Sequence, residues 1–434
     1  MQIMLERLFK LKELGTNPKR EFVGGLSTFM TMAYILIVNP AILSKTGMDA
    51  DALFTATALS CVVGCFLMGL MANLPVALAP GLGMNTFLTY TVVLQMGYSW
   101  EMAITAVFLE GVIFVLLTLL NIREAIVNAI PHVLKMSISV GIGLFIATIG
   151  LVNSGVVVSG GALSLLGDIS NPMVYLTLIA TVLIGVLLVR QVKGALLIGM
   201  LVTTIIGIPL GVVNIPEDFT LFSMPPSIAP IFMKLDFSQV LSMDMLIIVL
   251  TFIFMDLFDT AGTLIAVCTK AKLLDENGNI VRSKQAFLAD AVATTAGAVM
   301  GTSTVTSFVE STVGVAAGGR SGLTAVSAGV MFAISLFAAP LFAIVPSAAT
   351  SAALIVVGLF MIAMAAHIDF EDYLTAIPAF ITIIITPLSY SIADGIIFGV
   401  LSYVGVHVIA GKYKQVSLPI YILAAVFMAK LIFL

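Results

Sequence analysis

The chain is 434 residues long, 60% hydrophobic and only 10% charged, with a mean hydropathy of +1.17. No soluble domain of that length has such a composition, so the residues describe an integral membrane protein, with the lipid bilayer as its solvent and no nucleic-acid partner expected. The formal charge of -4 says little, because where the cations sit matters more than their sum.

The amino-terminal segment MQIMLERLFKLKELGTNPKREF lacks the apolar core and small-residue cleavage site of a signal peptide, so nothing is expected to be removed. A helix needs about 20 apolar residues to cross the hydrocarbon core. On that rule the chain holds fourteen candidate spans, roughly 22–43, 52–72, 76–95, 102–120, 133–151, 173–190, 194–213, 243–268, 285–301, 303–318, 322–343, 346–366, 372–390 and 394–411. The tail, 418–434, is apolar enough to insert but carries Lys430.

Taken along the chain, the third span contains APGLGMNTF from Ala79 to Phe87, where Pro80, Gly81 and Gly83 are poor at sustaining a helix. The fourth carries Glu110 in AVFLEGVIFVLL. Between the seventh and eighth lies the longest polar connection, Asn214 to Ser242, with NIPEDF and MPPSIAP. The eighth span reads FMDLFDTAGTLIAV from Phe254 to Val267 and carries Asp256 and Asp259. Lys270 to Lys284, with DENGN inside, reads as a polar hairpin loop on the cytoplasmic side, and no GxxxxGK[ST] occurs that would mark an ATP-driven pump. Asp290 opens the small-residue run DAVATTAGAVMG in the ninth span. The tenth, GTSTVTSFVESTVGVAAGGR from Gly301 to Arg320, sets Glu310 among serine, threonine and glycine. A carboxylate at that depth costs free energy that lipid cannot return, so by default it marks a site.

Cys61, Cys65 and Cys268 lie in or at the end of apolar runs and read as small hydrophobes. His132, His367 and His407 make no ligand cluster, so neither metal nor cofactor is expected. Most of the 36 glycines read as close helix approaches.

With a cytoplasmic amino terminus, Arg7, Lys10, Lys12, Lys19, Arg20, Arg123, Lys135, Arg190, Lys193, Lys270, Lys272, Arg282, Lys284, Arg320, Lys412 and Lys414 all fall inside, against Lys45 and Lys234 outside. This bias fits the positive-inside rule and supports the span count, since one missed helix would scramble it. Residues 214–242 divide the chain into seven spans on each side, 1–213 and 243–434, and an odd count gives the second half the opposite orientation. That is the layout of an inverted repeat. The fold class expected is an all-α polytopic protein of two inverted seven-span repeats, with spans three and ten each part strand and part half-helix.

If both broken spans start a half-helix near the bilayer midplane, free backbone N–H groups converge there, with Asn85 and Thr86 at one start and Val309 and Glu310 at the other. A neutral heterocycle with alternating donors and acceptors suits such a place. Asp256 and Asp259, three apart on one helix, make one of them a candidate proton carrier; the alternative is that one caps the neighbouring broken helix. Phe308 could stack on a planar ring. Glu110 and Asp290 have no neighbouring motif and read as helix–helix hydrogen-bonding groups. No lysine or arginine falls in the middle of a span, which weighs against an anion carrier, and no nucleophile motif points to an enzyme.

The segments REFVGGLSTFMTMAYILIVNPAIL, NLPVALAPGLGMNTF, FDTAGTLI and GTSTVTSFVESTVGVAAGGRSGLTAV together resemble the AzgA-like purine permeases of the nucleobase-ascorbate transporter superfamily. The resemblance runs from about Leu5 to the last residues. It implies the fourteen-helix fold of the uracil:proton symporters, with a core domain of spans one to four and eight to eleven and a gate domain of spans five to seven and twelve to fourteen. It places Asp259 and Glu310 on the base, Thr263 at the histidine position of the uracil carriers, Val309 and Thr86 where backbone N–H groups meet the base, Phe308 beside it, and Ala33 at the first-span contact. Adenine, guanine or hypoxanthine in symport with a proton is the cargo implied, in the cytoplasmic membrane, with a homodimer as the expected assembly. The rival on the same fold is an anion transporter of the sulfate-carrier type.

Overall fold

The computed structural model describes residues 2–120, 131–159, 164–216, 219–275 and 280–433. Arg123, Glu217 and Asp218 of NIPEDF, and Glu276 to Asn279 of the 270–284 loop lie outside the described residues. Among those described, nine helices are long and apolar enough to cross a membrane, with shorter apolar helices at Ala195–Gly207, Tyr373–Leu388 and Leu418–Ala429. The protein is thus a mostly helical, polytopic membrane fold.

That nine long helices are described against fourteen expected spans has local causes. The third predicted span is a strand, Leu78–Pro80, followed by a half-helix, Leu82–Thr86, that continues as a π-helix over Phe87–Gln95. The tenth is a strand, Val305–Ser307, followed by a half-helix, Ser311–Ala316. The two strands pair antiparallel with Leu78 opposite Ser307, Ala79 opposite Thr306 and Pro80 opposite Val305. Gly81 N–H donates to the Thr304 carbonyl at 2.9 Å and Phe308 N–H to the Ala77 carbonyl at 3.1 Å, so the ladder extends past both strand ends. Ala77 N–H finds the Ser311 hydroxyl at 3.0 Å. Non-helical backbone is tolerated at membrane depth when protein satisfies it, as here. The first span is broken as well, into Pro18–Met32 and Ile35–Leu43 with a turn at Ala33 and Tyr34. A second two-stranded sheet, Val157–Ser159 with Ser164–Leu166, was not foreseen from sequence. In the 270–284 loop an antiparallel bridge joins Leu274 and Ile280, and the tail forms a helix over Leu418–Phe433.

The helices pack in two groups. Pro18–Met32 and Ala50–Leu67 pack against Gly322–Ser335, and Ser283–Met300 against Ala50–Leu67 and Trp100–Leu119. His132–Asn153 packs against Ser347–Ile362 and Tyr373–Leu388, and Pro172–Val189 against Ser347–Ile362.

Glycines fix how closely the strands and half-helices approach. A Cβ on Gly64 would lie 2.8 Å from Leu78 Cβ, and one on Gly297 2.7 Å from Val305 Cγ2. At Gly314, in the second half-helix, it would run into Thr28 Oγ1 and stand 2.6 Å from the Gly24 carbonyl. Overpacking of this kind costs about 1–3 kcal/mol. Gly314→Ala is therefore expected to lower the melting temperature of the detergent-solubilised protein and to impair transport. Gly405→Ala, where nothing lies within 4 Å, should leave both unchanged. Equal melting curves for the two variants would contradict this packing.

Candidate functional site

The break after each strand leaves backbone donors without helical partners. Gly81 caps the first half-helix in an extended conformation, and Asn85 N–H already reaches the Gly81 carbonyl at 2.9 Å. The donors without an intrahelical acceptor are therefore those of Leu82, Gly83 and Met84. At the second break, Phe308 N–H is used by the strand ladder, while Val309 N–H makes no hydrogen bond among the described residues.

Asp259, Thr263, Phe308, Val309 and Glu310 line one cavity of about 90 Å³ together with Tyr34 and Gly81, Leu82 and Gly83. The eighth-span aspartate and the tenth-span glutamate thus face a common space beside both breaks. A wider cavity of about 510 Å³ shares Val309, Glu310 and Phe360 with it and extends to Gln191, Lys193 and Lys270. Another cavity, about 540 Å³, is lined by Pro40, Asp51, Pro226 and Pro340 and shares no lining residue with the other two. Size does not select the site here. The small cavity gathers the carboxylates and free backbone donors, and the 540 Å³ one gathers mainly apolar walls.

Four of the expected positions stand outside the cavity lining. Asn85 and Thr86 do not line the cavity, because the half-helix starts three residues earlier than the Asn85 estimate. Asn85 is fully buried and accepts from the Ser303 hydroxyl, and Thr86 Oγ1 bonds back to the Leu82 carbonyl at 2.6 Å. Ala33 is buried at the end of the first helix segment. Its neighbour Tyr34 lines the cavity instead, and the Tyr34 hydroxyl donates to Glu310 Oε1 at 2.8 Å. Asp256 is buried and does not line the cavity: Thr260 Oγ1 lies 2.9 Å from Asp256 Oδ1, 3.0 Å from Asp290 Oδ1 and 2.7 Å from Thr306 Oγ1. Thr306 stands beside Asp259. Its hydroxyl thus lies between the cavity carboxylate and Thr260, whose own hydroxyl reaches two further carboxyl groups.

Two carboxylates gain roles the sequence did not assign. Glu110 accepts from Thr304 Oγ1 at 2.6 Å, so it holds the extended segment entering the Val305–Ser307 strand. Glu21, fully buried, accepts from Thr16, from the backbone N–H groups of Arg320 and Ser321, and from the hydroxyls of Ser321 and Thr324, at 2.6 to 3.1 Å. It ties the first helix to the turn that follows the second half-helix. The only signal for it was a carboxylate beside two glycines at the start of a span.

Residues 19–398 match the family model described as Permease family. The chain is 44% identical over 442 residues to the guanine/hypoxanthine permease PbuG of Bacillus subtilis (strain 168), covering 99% of this chain and all of that protein. It is 42% identical over 429 residues to the adenine permease AdeQ of Escherichia coli (strain K12), covering 99% of this chain and 96% of that one. Among solved structures, the transmembrane domain of the cyanobacterium bicarbonate transporter BicA superposes with a TM-score of 0.65 at 18% identity, covering 87% of this chain and 97% of that domain.

Proposed function

This chain belongs to the permease family, as a transporter and not an enzyme, and we propose that it imports a purine nucleobase by proton symport with alternating access. The cargo is adenine, guanine or hypoxanthine, and the membrane is the cytoplasmic one, with the amino terminus inside. The observation that carries this reading is the meeting of Asp259 and Glu310 in one cavity beside two sets of free backbone donors. A purine's N–H groups find acceptors in the carboxylates, its ring nitrogens or carbonyl find the N–H groups of Gly83 and Val309, and Phe308 offers a ring face.

The fourteen-span inverted repeat, 1–213 and 243–434 joined by 214–242, is supported by which distant segments touch. Tyr98 donates to Asp244, Lys45 to Asn153 at 2.7 Å and Thr91 to the Tyr390 carbonyl at 3.3 Å. All six residues fall at ends expected outside. Glu21 meets Arg320, Asn73 meets Gly322 at 2.7 Å and Lys284 reaches the Leu119 carbonyl at 3.3 Å. All of these fall at ends expected inside. The two packing groups of helices support a core of spans one to four and eight to eleven and a gate of five to seven and twelve to fourteen. In alternating access the core moves against the gate, and the cavity extending from Glu310 toward Lys193 and Lys270 is the cytoplasmic exit.

For the proton, the support is a count of hydrogens. Thr260 has one hydroxyl hydrogen, yet its oxygen sits within 3.0 Å of two carboxyl oxygens and a second hydroxyl. Both carboxyl contacts are favourable together only if one of Asp256 and Asp290 carries a proton. Asp259, linked through Thr306, exchanges that proton with the cavity.

The likeness to a bicarbonate transporter at 18% identity concerns the fold alone, and two carboxylates facing the cavity oppose an anion there. Counterflow tests the reading. Proteoliposomes preloaded with unlabelled purine are expected to take up labelled adenine, guanine or hypoxanthine transiently, with competition by purines and none by sulfate or bicarbonate. No counterflow with any of the three would refute it.

A further inference from the structure

Among the described residues, the small cavity joins a wider one toward one side only. The wide cavity that shares Val309, Glu310 and Phe360 with it leads to Lys193 and Lys270, at ends expected inside. The cavity lined by Ser44, Asp51 and Ser223, at ends expected outside, shares no lining residue with either. On that outer side Asn153, the last residue of the helix His132–Asn153, stands between residues of spans one and three. Its Oδ1 accepts from Lys45 Nζ at 2.7 Å, and its Nδ2 donates to the Tyr90 hydroxyl at 3.0 Å. A lysine can only donate, so the orientation of the amide is fixed and both its ends are engaged. Two turns back on the same helix, Phe145 packs edge-on against Tyr90 and Tyr390, with ring centres 6.5 and 5.7 Å apart. Tyr90 belongs to the π-helix Phe87–Gln95 that continues the first half-helix. The segment whose free donors face the cavity is therefore held by this amide at its outer end.

We propose, resting on the alternating-access reading above, that Asn153 is a latch on the outer face. Clasped between Lys45 and Tyr90 of the core, it holds the gate against the core and stabilises the state open to the cytoplasm. Opening to the outside parts the amide from both partners. Each of these hydrogen bonds exists in one state only, so each shifts the balance between the two.

The test reads that balance through a cysteine reporter, Ile149→Cys, one turn from Phe145 and one from Asn153 on the same helix. Ile149 is 2% exposed, so a maleimide reaches the reporter only when the outer contacts part. Its labelling rate is measured on detergent-solubilised protein against the chain without the reporter, whose three cysteines are all buried. Adding Asn153→Ala should speed labelling about tenfold, the scale of two ordinary hydrogen bonds. Adding Asn153→Asp should not, because a carboxylate accepts from both Lys45 and the Tyr90 hydroxyl. An unchanged rate with alanine overturns the latch, and so does equal acceleration by both substitutions, which marks a packing effect of the helix end. This arm needs no cargo, so it decides the latch even if no purine is carried. A second arm bridges Lys45→Cys to Asn153→Cys with a short bis-maleimide, which should arrest counterflow that the unbridged pair supports. Arrest by the bridge without acceleration by alanine leaves alternating access standing and removes the latch. Undiminished counterflow with the pair bridged means the outer face does not part, and ends both.

Discussion

Asp259→Asn is expected to abolish the accumulation of labelled purine in proteoliposomes held under a proton gradient. Asparagine has nearly the same size and keeps one acceptor oxygen, so the cavity and the contact to Thr306 survive. What goes is the ability to take up and release a proton in the cavity, and with it the link between the hydroxyl chain of Thr306 and Thr260 and the cargo. Purine then equilibrates across the membrane without being concentrated, and uptake loses its response to external pH. The base also loses a charged acceptor, an interaction worth about 1.5–3 kcal/mol, so binding weakens about tenfold or more. Undiminished, pH-dependent accumulation by this variant would remove Asp259 from the mechanism.

Glu310→Gln is expected to have the second large effect, on affinity. The glutamate stands at the junction of the small cavity with the wide one and receives the Tyr34 hydroxyl. A glutamine amide can keep Tyr34 on its oxygen only by turning its NH2 group toward the base, where it faces a donor. Turned the other way, the NH2 group donates to the Tyr34 oxygen and the phenol hydrogen loses its acceptor. Either arrangement leaves a buried donor unmet, and the dissociation constant is expected to rise about 10- to 100-fold, with the protein still monodisperse on size exclusion. Retained affinity would reduce Glu310 to a bridge between the first and tenth spans.

Much of this was legible from residue types. Pro80, Gly81 and the serine, threonine and valine run after Gly301 pointed to two interrupted spans, and both are strand followed by half-helix. Asp259, Glu310, Phe308, Val309 and Thr263 come together in one cavity, though they lie up to 51 residues apart in sequence. The start of the first half-helix was misjudged by three residues because Gly81, and not a polar side chain, serves as its cap. Tyr34 was missed because a tyrosine in MTMAYILIV reads as apolar packing; only the break at Ala33, which nothing in that run announces, turns its hydroxyl into the cavity. Glu110 and Glu21 have partners 194 and about 300 residues away, at Thr304 and at Arg320 to Thr324. No periodicity in one sequence encodes such pairings.

The most direct measurement is a structure of the protein with hypoxanthine or guanine bound. The account predicts the base between Phe308 and Tyr34, within hydrogen-bond distance of both Asp259 and Glu310 and of the Gly83 or Val309 N–H. A base seated elsewhere, or one in this cavity that touches neither carboxylate, would contradict it.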